Sequence, residues 1–300
     1  MFVIIPQTIT EAVLTASGVP ETDYAVWSSA TTYSVGQRVI LTTGYHKIYE
    51  CLTSNINRHP ATDPARLTYW LEVGATNRWR PFDGKLSDEL TYAGTITMTL
   101  APTELCDSLA FFGLSASSLT VVVKSGATTI STSTVSLIDR TNETDWFSWF
   151  YDEIRYDSEA LVLTFSASLG NTIEITINGT GTLTVGEIVL GRNRQLGTPL
   201  LGTEPGIRDY SRKERDDFGN PILVQRAYSN TVDFKFSFPS ADARRVNRTL
   251  AEVRATPCVF HAGAGNTMFG TTIYGFFTDL STPLTHRQLS FSSLKVEGLV

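Results

Sequence analysis

Six segments between residues 76 and 192 alternate apolar with polar residues at a period of two. They read GTITMTL, SLTVVVK, STVSLI, ALVLTFSA, NTIEITING and GTLTVGEIVLG, and glycine or asparagine stands at most of the breaks. A period of two places alternate side chains on opposite faces of a strand, and β-branched residues favour strands. Short alternating strands separated by turn residues are typical of an antiparallel β-sandwich. We therefore predict a β-sandwich over residues 76–192 in a mainly β protein.

The C-terminal section, residues 193–300, mixes further strand patterns with one helix. Ser240 or Asp242 can cap the helix N-terminus, and Pro257 follows the pattern and stops it. Three residues spaced four and three apart form its apolar face: Val246, Leu250 and Val253. This section is predicted to be an α+β assembly domain with one clear helix.

The N-terminal section, residues 1–24, has the pattern of an arm that must pack against the rest of the protein. It opens with the apolar run FVII, which predicts a short strand. Thr8 and Glu11 have the spacing of a capping box, which predicts a short helix ending near Gly18. The start lacks the basic residues of a secretory signal peptide, so secretion by that route is not expected.

Residues 25–75 form a small section rich in aromatic residues. The β-like runs QRVIL and HKIYECL flank TTGY, and Gly44 marks the predicted hairpin turn between them. The aromatic side chains can either fill the core of a very small domain or present a platform to a sugar ring. Both interpretations are open at this point.

Charge and cysteine content narrow the classes of partner and cofactor. The chain carries 24 basic and 30 acidic residues, a net charge of −6, which argues against a surface built to bind nucleic acid. Cys51, Cys106 and Cys258 lie far apart, which favours neither a disulfide framework nor a zinc site. No apolar run is long enough to cross a bilayer, so no membrane insertion is expected. We expect neither a metal nor a cofactor, and folding in a reducing compartment.

A search for catalytic motifs leaves one segment of interest, the acidic and aromatic residues 139–157. The sequence lacks HExxH, Walker A and GxSxG motifs. Carboxylates beside aromatic residues are what a glycosidase needs, and Glu143, Asp145 and Glu153 would be the candidates. The same composition suits a loop at a sandwich edge, with aromatic side chains buried and carboxylates exposed. We favour the loop, and we predict that the protein is not an enzyme.

The aromatic section resembles the small chitin-binding carbohydrate module of families 5 and 12. The resemblance rests on Trp27, on ATTYSVGQRVI, on YHKIYECL and on YWLEVG, with Gln37 in place of the usual aspartate. It implies a module core made of Trp27, Tyr33, Gly36, Tyr49 and Trp70. The family binds sugar through exposed aromatics after the YxA position, where this sequence has Thr53 and Ser54. We favour a scaffold role, and glycan contact through Tyr45, Tyr69, Thr53 and Ser54 is the alternative.

The rest of the chain resembles a family of bacteriophage tail proteins of similar length that carry the same small module. The segments are GATNRWRPFDG, GIRDYSRKERDDFGNPILVQRAYS, RVNRTLAEVRATPCVF and LKVEGLV. The resemblance implies a structural protein of the virion, at the tail tip or baseplate. It would be made and assembled in the host bacterial cytoplasm. Its partners would be other phage tail proteins, further copies of itself in a symmetric ring or cluster, and host surface polysaccharide. The alternatives are a glycan-degrading enzyme and a stand-alone glycan-binding protein.

Two charged segments are candidates for assembly contacts within such a particle. Residues 208–220 mix both signs of charge, which is typical of a solvated loop or an interface rim. The C-terminal helix carries several arginines, which are either an ordinary exposed face or a contact surface for an anionic partner. The candidate residues are Tyr210, Arg212, Lys213, Arg215, Asp217, Arg244 and Arg248.

Overall fold

The computed structural model describes residues 1–140, 143, 145–151, 153–167, 169–263, 270–281 and 288–299. Asp152 of the acidic segment and most of the glycine-rich stretch HAGAGNTMFG lie outside the described residues.

Strands dominate the secondary structure. In chain order the strands are β1 (Phe2–Pro6), β2 (Leu14–Ser17), β3 (Thr32–Tyr33), β4 (Arg38–Leu41), β5 (Lys47–Cys51), β6 (Asn55–Ile56), β7 (Trp70–Ala75), β8 (Leu90–Ala93), β9 (Ile96–Leu100), β10 (Cys106–Phe112), β11 (Ser118–Ser125), β12 (Thr128–Ser136), β13 (Ile138–Asp139), β14 (Arg155–Tyr156), β15 (Glu159–Ala167), β16 (Asn171–Asn178), β17 (Thr182–Val185), β18 (Glu187–Gln195), β19 (Thr198–Pro199), β20 (Glu204–Asp209), β21 (Arg212–Arg215), β22 (Pro221–Val224), β23 (Tyr228–Pro239), β24 (Cys258–His261), β25 (Ile273–Ser281) and β26 (Leu289–Gly298). The α-helices are α1 (Arg66–Tyr69), α2 (Trp146–Tyr151) and α3 (Ala243–Glu252), and 3-10 turns span Arg80–Phe82 and Ser240–Asp242. The predicted mainly β fold with one clear C-terminal helix is confirmed.

The alternating segments form a sandwich of two antiparallel sheets. One sheet has the strand order β12-β11-β16-β9-β2, and it faces β15, β10 and β18 of a larger sheet. Inward-facing side chains of both sheets share one core, which includes Leu109, Phe111, Leu119, Val121, Val123, Ile173, Ile175, Ile177, Ile188 and Leu190. Every second residue of β11 and β16 is buried, which is what the period of two predicts.

The larger sheet runs on from the sandwich into the C-terminal section. Its order is β15-β10-β18-β1-β24-β25-β26-β23-β19, and β20 also pairs with β23. β1 lies between β18 and β24, with Phe2 opposite both Gln195 and His261. Helix α3 packs its buried Val246 and Leu250 against the second core, which contains Phe234. The N-terminal arm therefore joins the sandwich to the C-terminal section through one strand, and the division into four sections stays a prediction.

The aromatic section is a small β module with its own core. The strands β4, β5 and β7 form one sheet, and β3 pairs with β6. Tyr33, Tyr49 and Trp70 are buried, with Tyr33 edge-on to Trp70 at a centroid distance of 5.3 Å. Trp27 is half-buried at the core margin, and Gly36 has a positive φ of 84° in the turn before β4. The β4–β5 hairpin forms as predicted.

The predicted helix in the N-terminal arm does not form. The N–H groups of Val13 and Leu14 both bond to the Thr10 carbonyl, which closes a single turn, and β2 then pairs with β9. Glu11 does not close a capping box, because its carboxylate accepts hydrogen bonds from the Gly44 N–H at 2.6 Å and from His46 Nε2 at 2.7 Å. Tertiary pairing overrides the local helix signal here.

The expected cap of α3 also differs. Asp242 is the N-cap residue but makes no side-chain capping bond, and the Ser240 hydroxyl instead pairs with the Ser290 hydroxyl at 2.9 Å. The helix ends at Glu252, before Pro257.

The prediction that the aromatic residues of segment 139–157 are buried is wrong. Helix α2 lies between β13 and β14, and its aromatic side chains are exposed: Trp146, Phe147, Trp149, Phe150 and Tyr151. Neighbouring rings contact one another, as Phe147 does Tyr151 at 4.8 Å between centroids. A six-residue helix on a two-stranded base cannot bury these side chains by itself, so they form an uncovered apolar surface.

Candidate assembly interface

A long β-hairpin projects from the edge of the larger sheet, and we call residues 204–228 the hairpin arm. β20 pairs with the first half of β23, and β21 pairs with β22 farther out. Side chains along residues 204–228 are exposed except those of Ser211 and Asp216, which are partly buried. The segment 208–220, predicted as a solvated loop or interface rim, contains the end of β20, all of β21 and the turn that follows it.

The tip of the hairpin arm is a well-formed turn. The Asp216 carbonyl accepts a hydrogen bond from the Gly219 N–H at 2.9 Å, and the Asp216 N–H donates to the Asn220 carbonyl at 3.0 Å. The Asp216 carboxylate also accepts hydrogen bonds from the Asn220 side-chain amide at 2.9 Å and from the N–H groups of Asn220 and Phe218, and these bonds lower the pKa of Asp216. Gly219 has φ +87°, the left-handed conformation that this type of three-residue hairpin loop requires. The sequence therefore specifies this turn closely.

The base of the hairpin arm is fixed to β26 by one carboxylate. Glu297 accepts hydrogen bonds from Arg208 at 2.6 Å and from the Tyr210 hydroxyl at 2.5 Å. The Tyr210 hydroxyl also pairs with Ser229 at 3.2 Å, and the Arg208 guanidinium lies 5.8 Å from the centroid of the Tyr210 ring. Tyr210, predicted as an assembly residue, is thus placed where it sets the direction of the hairpin arm.

The other predicted assembly residues fall into two groups. Arg212, Lys213, Arg215 and Asp217 all lie on the outer part of the hairpin arm. Arg212 pairs with Glu214 at 2.5 Å, and Lys213 with Asp209 at 2.7 Å, which lowers the pKa of Asp209. Arg215 and Asp217 are exposed.

Arg244 and Arg248 lie elsewhere, on the exposed face of α3. Arg248 pairs with Glu252 one turn later at 3.2 Å. The structure therefore brings the residues of the 208–220 segment together and leaves the two helix arginines on a separate surface.

The apolar residues of the hairpin arm were missed by sequence reasoning. Ile207 and Leu223 are each 70% exposed and Phe218 is 91% exposed. The available signal is the uncharged run PILV, which is separated by three residues from the charged run that ends at Asp217, and whose pattern predicts only a strand. An isolated two-stranded hairpin is marginally stable in water, so one with uncovered apolar side chains gains stability from a partner.

The residues predicted for glycan contact are also divided between two places. Tyr45, which is 41% exposed, lines a cleft of about 450 Å³ together with Glu11, Lys47, Glu72, Trp79 and Asp83. Thr53 donates to the Thr68 carbonyl at 3.0 Å beside Tyr69, which is half-buried and packs against the Arg58 guanidinium at 5.1 Å. Ser54 is exposed. Of the four, Tyr45 alone lines the cleft.

His46 fixes the floor of this cleft. Its ring stacks on Trp79 at 4.1 Å between centroids, and its two nitrogens contact Glu21 at 2.9 Å and Glu11 at 2.7 Å. Glu21 is nearly buried and also accepts from the Thr76 hydroxyl at 2.7 Å. These contacts tie the aromatic module to the N-terminal arm and to the segment that follows β7.

The acids with strongly raised pKa values are not the candidates of segment 139–157. Glu143, Asp145 and Glu153 are exposed. Burial raises the pKa of Glu187 to about 9, and that of Glu159 to about 7 with a smaller contribution from Asp157. Glu187 accepts from the Gly84 N–H at 3.1 Å and does not line the cleft.

No family model, curated protein or solved structure matches this chain. Among the residues that the structure describes, no group of three or more histidine, cysteine, aspartate or glutamate side chains is arranged to hold a metal ion. Over the same residues, every helix is too short or too polar to span a membrane.

Proposed function

We propose that the protein is a non-enzymatic structural subunit of a bacteriophage tail tip or baseplate, and that it assembles in several copies. The observation that carries the proposal is the hairpin arm. Its strands are exposed on both faces, and it presents Ile207, Phe218 and Leu223 to solvent. Such an extension contributes nothing to the folded core of its own chain, and an uncovered apolar surface of this kind marks a protein contact.

A second uncovered surface supports the same proposal. The aromatic side chains of α2 are exposed on the segment that connects β13 to β14. Two apolar surfaces on different parts of one chain suit a subunit that contacts more than one neighbour. In a tail, those neighbours are further copies of the chain and other tail proteins.

The location is tested by labelling intact virions with antibodies raised against the purified chain and imaging them by electron microscopy. We expect label at the end of the tail. Label on the capsid, or on no part of the particle, would contradict the proposal.

The assembly role is tested by removing the outer hairpin arm. Residues 211–226, which include β21 and β22, are replaced by Asn-Gly. This two-residue turn can join Tyr210 to Ala227, because the Tyr210 N–H bonds to the Ala227 carbonyl at 3.2 Å in the register of the β20–β23 ladder. Light scattering should show oligomers for the intact chain and a smaller species for the shortened one. The Arg254→Ala variant, which alters an exposed arginine just after α3, is the control, and we expect it to assemble like the intact chain.

Glycan binding is a second candidate function, and the cleft favours it. An exposed tyrosine beside hydrogen-bonding charged groups is a usual arrangement for holding a sugar ring. A glycan array should then show binding that Tyr45→Ala removes and Tyr69→Ala retains. Equal loss in both variants, or binding that neither affects, would argue against the cleft.

A further inference from the structure

The two free edges of the outer hairpin arm differ in character. β21 is Arg212-Lys213-Glu214-Arg215, so each of its residues is charged. β22 is Pro221-Ile222-Leu223-Val224 and carries no charge. Charged side chains protect an edge strand against pairing with another strand, whereas an exposed apolar edge is open to it. Any strand that joins the hairpin arm therefore adds to the β22 edge.

The alternation of hydrogen-bonded pairs along the hairpin shows which backbone N–H and C=O groups of β22 face away from β21. Asp216 and Asn220 form a bonded pair next to the turn, at 3.0 Å. Bonded pairs recur at every second residue of an antiparallel ladder, so in this register Ile222 and Val224 bond inward to β21. The N–H and C=O of Leu223 consequently face outward. Pro221 faces outward with a carbonyl only, since proline has no N–H.

We propose that β22 pairs with β22 of a second copy, antiparallel and across a two-fold axis at Leu223. Each Leu223 then exchanges two hydrogen bonds with Leu223 of the second copy. Two residues away, the Gln225 N–H of each copy donates to the Pro221 carbonyl of the other. Each Pro221–Gln225 pair thus makes one hydrogen bond instead of two, because proline has no N–H to donate.

The charge pattern selects a second copy as the occupant of this edge. In a strand that pairs with its own copy, the residue at the two-fold axis lies opposite the same residue of the second copy, and the residues beside it lie opposite each other. Like charges directly opposite each other are destabilising. β22 has no charge to repel, whereas β21 paired with itself about Lys213 would place two lysines directly opposite each other. The product is a four-stranded sheet with a charged β21 at both outer edges, so pairing stops at two copies, as an isologous contact requires.

This inference rests on the proposed assembly role of the hairpin arm and adds the partner and the register. The first test is disulfide trapping with Leu223→Cys. The three native cysteines are buried, so the new thiol is the reactive one. Residues opposite each other in a bonded pair are about 5.5 Å apart between Cα atoms, within the disulfide range of about 4.4–6.8 Å. Mild oxidation should therefore give a covalent dimer on a non-reducing gel.

Lys213→Cys is the matched control for this trapping experiment. Lys213 lies directly opposite Leu223 in the hairpin and is equally exposed to solvent, but it belongs to the charged strand. We expect it to remain monomeric under the same oxidation. Equal trapping of both variants, or none of Leu223→Cys, would overturn the proposed pairing.

The second test is a charge exchange at the same position. Leu223→Lys and Leu223→Glu each place like charges opposite each other, and each should weaken dimerisation about tenfold or more by analytical ultracentrifugation. An equimolar mixture of the two should dimerise again as a mixed pair. Because Leu223 is exposed, both variants should keep the circular dichroism of the unaltered chain.

The outcomes of the charge exchange separate the two proposals. If both variants lose assembly and the mixture does not recover it, the hairpin arm binds a different partner, and self-pairing is refuted while the assembly role stands. If removal of residues 211–226 leaves the oligomers unchanged, the assembly role itself fails.

Discussion

Glu187 is a buried carboxyl whose protonation should make the stability of the fold depend on pH. It is 5% exposed at the start of β18 and accepts hydrogen bonds from the Gly84 N–H and the Tyr274 hydroxyl. Burial is the main cause that raises the pKa of Glu187 from 4.5 to about 9, and the nearby Asp83 adds to the rise. The carboxyl is therefore neutral in the folded protein at pH 7, whereas in the unfolded chain it is ionised.

The sign of the effect follows from proton binding. Between pH 4.5 and about 9 the folded state holds a proton that the unfolded state has lost, so the free energy of unfolding falls as pH rises. One proton corresponds to about 1.4 kcal/mol per pH unit, so this group should remove about 3 kcal/mol between pH 5.5 and 7.5. Glu187→Gln keeps an oxygen acceptor for Gly84 and removes the titration. Between pH 5.5 and 7.5, the free energy of unfolding of Glu187→Gln should therefore fall by about 3 kcal/mol less than that of the unaltered chain.

Urea unfolding of the unaltered chain and of Glu187→Gln at the two pH values measures this difference directly. Carboxyl carbon shifts in NMR give an independent value for the pKa of Glu187 in the folded protein. Identical pH dependence of the two chains, or an NMR titration near pH 4.5, would refute the assignment of a neutral buried carboxyl.

Three further substitutions test the packing. Phe236→Ala removes a fully buried ring of the second core and should cost about 3–5 kcal/mol in urea unfolding. Gly275→Ala places a methyl group against the Glu297 carbonyl oxygen of the paired strand and should cost about 3 kcal/mol, measured as a lower thermal midpoint. His46→Ala leaves Glu21 without its imidazole partner and should loosen the aromatic module by about 1.5–3 kcal/mol, seen as faster limited proteolysis between residues 18 and 26.

Each of these has a control in the same chain. Leu201→Ala removes an apolar side chain that is 96% exposed and lies outside the hairpin arm, and it should change stability by less than about 0.5 kcal/mol. Gly206→Ala meets the Thr231 hydroxyl at 3.1 Å, which can rotate away, and the Thr231 carbonyl oxygen at an ordinary contact distance of 4.0 Å. Glu72→Gln breaks the exposed pair with Lys47, which should be worth less than about 1 kcal/mol. A control that matched its test variant would contradict the corresponding packing argument.

The sequence predicted the strands of the sandwich because alternation along β11 and β16 reports directly on which side chains are buried. The same local information failed for residues 8–18, where the turn at Thr10 and the pairing of β2 with β9 depend on residues far along the chain. It also could not place β1 between β18 and β24, since nothing near Phe2 specifies those partners. Strand order is set by long-range contacts, which local periodicity does not contain.

The candidate interface was likewise only partly predictable from the sequence. The charges of β21 were visible as a run, so residues 212–217 could be selected from the sequence. The apolar edge of β22 could not, because a short apolar strand reads the same whether it is buried or projects into solvent. The exposed aromatic residues of α2 were misassigned for the same reason: composition does not say which side of a short helix the fold covers.

The placement of β1 has a consequence for how the protein reaches its native state. Phe2 lies opposite Gln195 and His261, so this strand cannot complete its pairing until both distant strands are present. Contacts of such high sequence separation slow folding, because closing a long loop costs entropy before any pairing is gained. Until then the edges of β18 and β24 stay open to strands of other nascent chains. The rate at which this strand inserts should therefore set the yield of soluble subunit during synthesis.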